Sequence, residues 1–139
     1  MFEDCAFLNC HFERTRLAFA RLAGCKLTGS TFLRCELRPL TVEGGDWSYV
    51  TLRQADLHGV SLAGVRLAEA DLSDADLSGG SLAGCDLAHA RLRGVKLRGA
   101  DLRGAVLDGC DVDLVDWTHV RIDVATAVLL AQARGARVE

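Results

Sequence analysis

Every fifth residue of this chain, from Phe2 to Ile122, is apolar, a run of 25 positions without one polar interruption. Leu fills the column without a break from Leu52 to Leu107, and Phe, Val, Trp and Ile complete it at either end. In a chain that is 50% hydrophobic, chance yields such a run about once in tens of millions. A second column stands two residues earlier, at every multiple of five, and holds small residues almost throughout: Cys5, Cys10, Thr15, Ala20, Cys25, Ser30 and onward to Ala125. The three remaining positions are mostly Asp, Arg, Ser, Gly and Ala.

A period of five suits neither regular element. On a helix it would carry successive Leu residues round every side, and on a continuous strand an odd step would flip each one to the opposite face. The geometry that satisfies both columns is a short extended piece followed by a corner. Gly recurs two residues after the Leu, at Gly24, Gly29, Gly59, Gly64, Gly79, Gly84, Gly94, Gly99, Gly104 and Gly109. A tight corner there needs a permissive backbone. The chain therefore coils, with the Leu and small columns pointing inward.

The repeat reads small residue, Asp, Leu and two variable residues, as in Ala70-Asp71-Leu72-Ser73-Asp74, Ala75-Asp76-Leu77-Ser78-Gly79 and Ala100-Asp101-Leu102-Arg103-Gly104. In this it resembles the pentapeptide-repeat family. The resemblance implies an all-β solenoid: a right-handed quadrilateral β-helix with four repeats per coil. It would have about six coils, be roughly 30 Å long at ~4.8 Å per coil, and end in a short C-terminal α-helix. Residues 1–122 would form the β-helix and 123–139 a capping or dimerisation helix and tail.

The six Cys all occupy the small inward column (Cys5, Cys10, Cys25, Cys35, Cys85, Cys110), where a free thiol packs as a small hydrophobe. No C-x-x-C spacing points to zinc. Cys5 and Cys25, twenty apart, would stack on neighbouring coils, but core packing is the expectation for a protein of the cytoplasm. That location is expected because no basic start leads into an apolar stretch and no apolar run reaches the ~20 residues that span a bilayer. His11, His58, His89 and His119 fall on outward positions. No nucleophile elbow, phosphate loop or metalloprotease motif is present. The expectation is a protein that is no enzyme, needs no metal or cofactor, and acts by presenting a surface.

Departures from the repeat carry the functional information. Arg38-Pro39-Leu40-Thr41-Val42-Glu43-Gly44-Gly45 combines the only Pro, a bulky Leu in the small column and a Gly pair; the rod should bend or change corner type there. After Ile122, Asp123 can cap a helix through Val124–Arg134 with Gly135 as its stop. That helix is apolar nearly all round, so capping the last coil covers only one side. The other side predicts a two-fold dimer through Val124, Val128, Leu129, Leu130 and Ala131, against the plainer alternative of a helix that only caps.

Charge is ordered too. Asp56 to Asp86 holds six acids and one base, residues 91–103 hold five bases and one acid, and residues 108–123 return to five acids and one base. On a coil of twenty residues, Asp71, Asp74, Asp111 and Asp113 share one face, and Asp56, Asp76 and Asp116 the next. A basic band lies between.

The segments Asn9-Cys10-His11-Phe12-Glu13-Arg14-Thr15, Arg38-Pro39-Leu40-Thr41 and Val120-Arg121-Ile122-Asp123-Val124 are similar to the mycobacterial fluoroquinolone-resistance branch of the family. That resemblance implies a dimeric rod imitating duplex DNA, which occupies the DNA-binding saddle of DNA gyrase and protects the enzyme from quinolones or other poisons. It implies no direct binding to nucleic acid or membrane. The seven Asp residues of the two acidic faces would carry the imitation. A protein–protein scaffold with another partner is the alternative. A net charge of −3 decides nothing between them.

Overall fold

The computed structural model describes residues 1–139. The chain winds as a β-helix-type solenoid closed by one C-terminal helix. Five short strands open it: β1 (Phe2–Glu3), β2 (His11–Glu13), β3 (Arg21–Ala23), β4 (Thr31–Leu33) and β5 (Thr41–Glu43). They pair in parallel as β1-β3-β5 and β2-β4. The register advances by twenty residues each time, Phe2 to Leu22 to Val42 on one side and Phe12 to Phe32 half a turn away. Four repeats thus complete one turn.

Beyond Glu43 the strands give way to single-residue bridges, again twenty apart: Asp46 to Arg66 to Asp86 to Val106, and Thr51 to Asp71 to Arg91. The change falls where Pro39 and the Gly pair stand, so the expected change of corner type occurs there. Regular rungs bond an N–H to a carbonyl nineteen residues on, as from Leu17 to Glu36 (2.8 Å). The Phe19 N–H instead reaches Pro39, one residue further (2.6 Å), beyond a cis Arg38–Pro39 peptide. Regular pairing resumes when the Thr41 N–H donates to the Ala20 carbonyl (3.1 Å). Gly45, at φ 111°, passes so close to the Cys25 carbonyl that a Cβ could not fit.

The core is the two inward columns. From Leu52 to Leu107 every Leu is buried, with Ala70, Ala75, Cys85, Ala90 and Ala100 between them. Burial weakens toward the first turn, where packing reaches the side chains from one side only. Phe2 is exposed and Phe7, Phe12 and Leu17 are half-buried. There Phe2, Phe7 and Phe12 meet edge to face, and Phe12 stacks on Phe32 at 4.8 Å. Burying these columns supplies the drive to coil, since each fully buried Leu contributes about 1.5–3 kcal/mol.

The small column does more than fill space. The thiols of Cys25, Cys35, Cys85 and Cys110 each donate to the carbonyl 23 residues earlier, at 3.3, 3.3, 2.8 and 3.0 Å. The Ser30 hydroxyl does the same to the Phe7 carbonyl. All six Cys are free thiols. Burial pushes the Cys85 pKa up to about 11.

The ladder lapses twice. Around the Pro39 break the N–H groups of Leu37 and Val42 make no backbone hydrogen bond to the following turn, and bridges from 36 to 56 and from 41 to 61 are missing. The second lapse lies further along. Leu72 bonds to Arg91 and Asp74 to Arg93, both at 2.9 Å, but the N–H groups of Leu92, Gly94, Leu97 and Gly99 make no backbone hydrogen bond to the following turn. Bridges from residues 91 and 96 to 111 and 116 are missing as well. In that following turn a 3-10 helix, Val112–Leu114, replaces a regular corner, and Trp117 stands in the Leu column with its indole N–H donating to the Val112 carbonyl (3.0 Å). Pairing resumes from Leu102 to Arg121 (2.9 Å). Helix α1 (Val124–Ala133) then closes the rod.

Candidate interaction surface

Outward positions stack in columns along the rod. One holds Thr51, Asp71, Arg91 and Asp111, and its neighbour Asp56, Asp76, Lys96 and Asp116; pairing links the first three members of each. The structure therefore brings Asp71 beside Asp74 and Asp56 beside Asp76, with Arg91, Arg93 and Lys96 next along the rod. Asp111, Asp113 and Asp116 lie beyond, past the break in the ladder.

The carboxylates differ in what holds them. The Asp71 carboxylate accepts from the Ser73 N–H (3.1 Å) and hydroxyl (2.6 Å) and its side chain is only 16% exposed. Asp76 is held in the same way by Ser78, and Asp116 by the Thr118 N–H (3.0 Å) and hydroxyl (2.6 Å). Such local turns satisfy the carboxylate and fix its direction. The Thr118 hydroxyl and N–H lower the pKa of Asp116. At Asp76 partial burial pushes upward, but the Ser78 hydroxyl and N–H together with His58 and Lys96 outweigh it, so the pKa falls. Asp56 pairs with Arg38 at 2.8 Å and Asp113 with Arg134 at 3.4 Å. Asp74 and Asp111 are exposed and make neither an ion pair nor a side-chain hydrogen bond.

Sequence reasoning treated all seven as equivalent outward acids. The Asp-x-Ser and Asp-x-Thr spacings at Asp46, Asp71, Asp76 and Asp116 were the available signal of their turn-building role. Asp101 was missed as well: the Arg103 guanidinium, bonded at 2.8 and 3.0 Å, draws its pKa down to about 2. The four His side chains are exposed, and no three His, Cys, Asp or Glu side chains gather where a metal could bind.

At the C-terminal end Asp123 does two things. One carboxylate oxygen accepts from the Thr126 N–H (2.9 Å), capping α1, and the other from the Gly104 N–H (2.6 Å), replacing the carbonyl of a regular rung. These two N–H groups lower its pKa. Thr126 is the buried residue of the helix, and Leu129 and Leu130 pack partly on the core. Val124 is 80% exposed, while Val128 and Ala131 are half-buried. Of the five residues expected at a dimer face, Leu129 and Leu130 thus already spend part of their surface capping their own rod. No helix is long and apolar enough to cross a membrane.

This geometry, a rod of five-residue repeats with Leu and small columns inside, defines the class. The chain belongs to the family of pentapeptide repeats, whose model matches residues 2–37, 46–83 and 70–109. In sequence it is similar to the pentapeptide repeat protein MfpA of Mycobacterium tuberculosis, 46% identical over 57 residues, which is 41% of this chain and 31% of MfpA. The matched stretch thus spans under a third of that relative's length. Among solved structures, a trypsin-treated form of QnrB1, a plasmid-mediated fluoroquinolone resistance protein, matches 98% of this chain and 66% of its own. Its TM-score is 0.71 at 20% identity. HetL, a pentapeptide repeat protein involved in heterocyst differentiation regulation in the cyanobacterium Nostoc, matches 86% of this chain and 60% of its own, with TM-score 0.51 and 29% identity.

Proposed function

We propose that the protein binds DNA gyrase as a mimic of duplex DNA and thereby shields the enzyme from fluoroquinolones or other gyrase poisons. The observation that carries this reading is the set of carboxylates fixed on two adjacent faces. Asp71, Asp76 and Asp116 are held rigid by turn hydrogen bonds, and Asp74 and Asp111 stand free between and beyond them. Rigid, ionised groups on a stiff rod can stand in for phosphates against a basic groove without the ordering cost of flexible side chains. The likeness to MfpA supports the choice of partner.

A right-handed rod of about six coils would be roughly 30 Å long. Duplex DNA of that length carries about 18 charges at one per ~1.7 Å, against −3 for this chain. The imitation is therefore local to the acidic faces and is not a property of net charge. A two-fold dimer through the exposed side of α1, chiefly Val124 with Val128, Ala131 and the uncovered parts of Leu129 and Leu130, would place two sets of acidic faces along one longer rod. The protein would act in the cytoplasm on gyrase itself, with no catalysis, no cofactor, and no direct contact with nucleic acid or membrane.

A second reading, a scaffold for a different protein, is favoured by one observation: Arg91, Arg93 and Lys96 form no ion pairs and interrupt the acidic faces. A gyrase supercoiling assay with and without a quinolone separates the two. Inhibition or drug protection that is lost in the Asp71→Ala, Asp74→Ala, Asp76→Ala triple variant supports mimicry. No effect at tens of micromolar protein leaves the scaffold.

A further inference from the structure

Where the ladder lapses beside the 3-10 helix, a concavity of about 690 Å³ opens on one face of the rod. Its basic wall is Arg53, Arg91 and Arg93. Arg53, Ser73 and Arg93 occupy one column at twenty-residue spacing, so their backbones lie about 10 Å apart across the small Ser73. Leu114, the last residue of the 3-10 helix and 52% exposed, lines it as well. Arg91 and Arg93 have no carboxylate partner, and Arg53 has only a loose one, Asp71 at 4.0 Å.

The backbone points to the same chemistry. Leu92 lines the concavity, and its N–H, which in a regular rung would donate to residue 111, makes no hydrogen bond; neither does that of Gly94. Both sit where the ladder aims donors at the next turn, which here has moved away. An N–H left without a protein acceptor is a standing demand for one.

We propose that this concavity is an anion site that takes a compact phosphate, either inorganic phosphate or a small phosphomonoester. Guanidinium forks match the oxygens of a phosphate in pairs, and backbone N–H groups complete such cradles. Asp74 and Asp111 line the concavity beside the arginines, with the Asp74 carboxylate against Gly94, and these two acids set the size limit. A single tetrahedral anion fits between the arginines, whereas an extended polyanion would run its next charges onto those carboxylates and the acidic faces beyond. The site is independent of the gyrase reading.

The test titrates the full-length protein with inorganic phosphate, sodium chloride at matched ionic strength serving as control. Amide shifts are followed by NMR and affinity by calorimetry. Saturable shifts at the Leu92 and Gly94 amides are expected. Arg93→Ala should weaken binding at least about tenfold, since charge-assisted hydrogen bonds contribute about 1.5–3 kcal/mol. Arg121→Ala, on another face, should leave it unchanged. The same shifts with chloride, or an equal loss in Arg121→Ala, would overturn the site. Tighter binding of a ten-nucleotide oligothymidylate than of phosphate would overturn the compact-anion assignment.

Discussion

Truncating Leu87 to Ala measures what holds the solenoid together. Leu87 is fully buried, as is Leu67 in the turn before, and Leu107 in the turn after is 2% exposed. The substitution removes three carbons, about 2.4 kcal/mol at ~0.8 kcal/mol each. Neighbouring rungs are pinned by backbone bonds on either side, including Leu87 to Val106 at 2.8 Å, so the gap collapses only in part. A residual cavity of about 50 Å³ adds about 1.2 kcal/mol, for a total near ~3.6 kcal/mol. With a urea slope of about 2 kcal/mol/M for a chain this size, the unfolding midpoint should fall by about 1.8 M. The half-buried Leu17, changed likewise, should lose less than half as much, because each turn of a solenoid is stabilised only by its neighbours. A Leu87→Ala shift under about 0.5 M, or equal losses at the two sites, would show that the inward Leu column does not hold the turns together.

Backbone clearance, thiol burial and the helix cap can each be perturbed separately. Gly80→Ala should destabilise more than Gly59→Ala: a Cβ on Gly80 would strike the Val60 carbonyl, whereas Gly59 opens on free space and meets only the cost of its φ of 75°, about 1–2 kcal/mol. Thermal melts of the pair check the order. Thiol labelling at pH 8 should modify Cys5 and Cys10 in the native protein and spare Cys25 and Cys85 until unfolding. The raised Cys85 pKa means its stabilisation is complete below about pH 9 and is lost as pH climbs toward about 11. Asp123→Ala should fray α1 and free it from Gly104, seen as lost helical ellipticity. The lowered Asp123 pKa places the corresponding loss in wild type at acid pH, absent above about 3.9 and developing as pH falls through the folded value.

The solenoid itself was legible because both columns obey one rule from Phe2 to Ile122, and burial leaves that rule little freedom. The helix was legible for a local reason: Asp123 and Gly135 carry its cap and stop in their own chemistry. The turn at 111–119 was not. Val112 and Trp117 satisfy the inward column as well as Leu does, so nothing in the period announces that Trp117 bonds Val112 and that the ladder lapses beside it. The columns that pair Asp71 with Arg91 and Asp56 with Asp76 and Lys96 were legible once the family resemblance implied four repeats per turn, whereas Asp111, Asp113 and Asp116 lie past the lapse and are not paired into them. What each carboxylate does was only half legible. Ser73, Ser78 and Thr118 stand two residues after their Asp partners, and Arg38 stands eighteen before Asp56, one turn away like Arg53 and Asp71; but the ion pair of Asp113 with Arg134 joins the last turn to the end of the helix, which no repeat spacing links. The thiol-to-carbonyl bonds of the Cys column were hidden by reading Cys as a small hydrophobe.

If the acidic faces occupy the place of DNA on gyrase, the protein and duplex DNA compete for one site, which competition binding reads out. Labelled protein is bound to purified gyrase and linear duplex DNA is added. Saturable binding is expected that duplex DNA displaces and that weakens in the Asp71→Ala, Asp74→Ala, Asp76→Ala variant. Binding that persists under saturating DNA, or is untouched by those substitutions, would contradict this placement of the acidic faces.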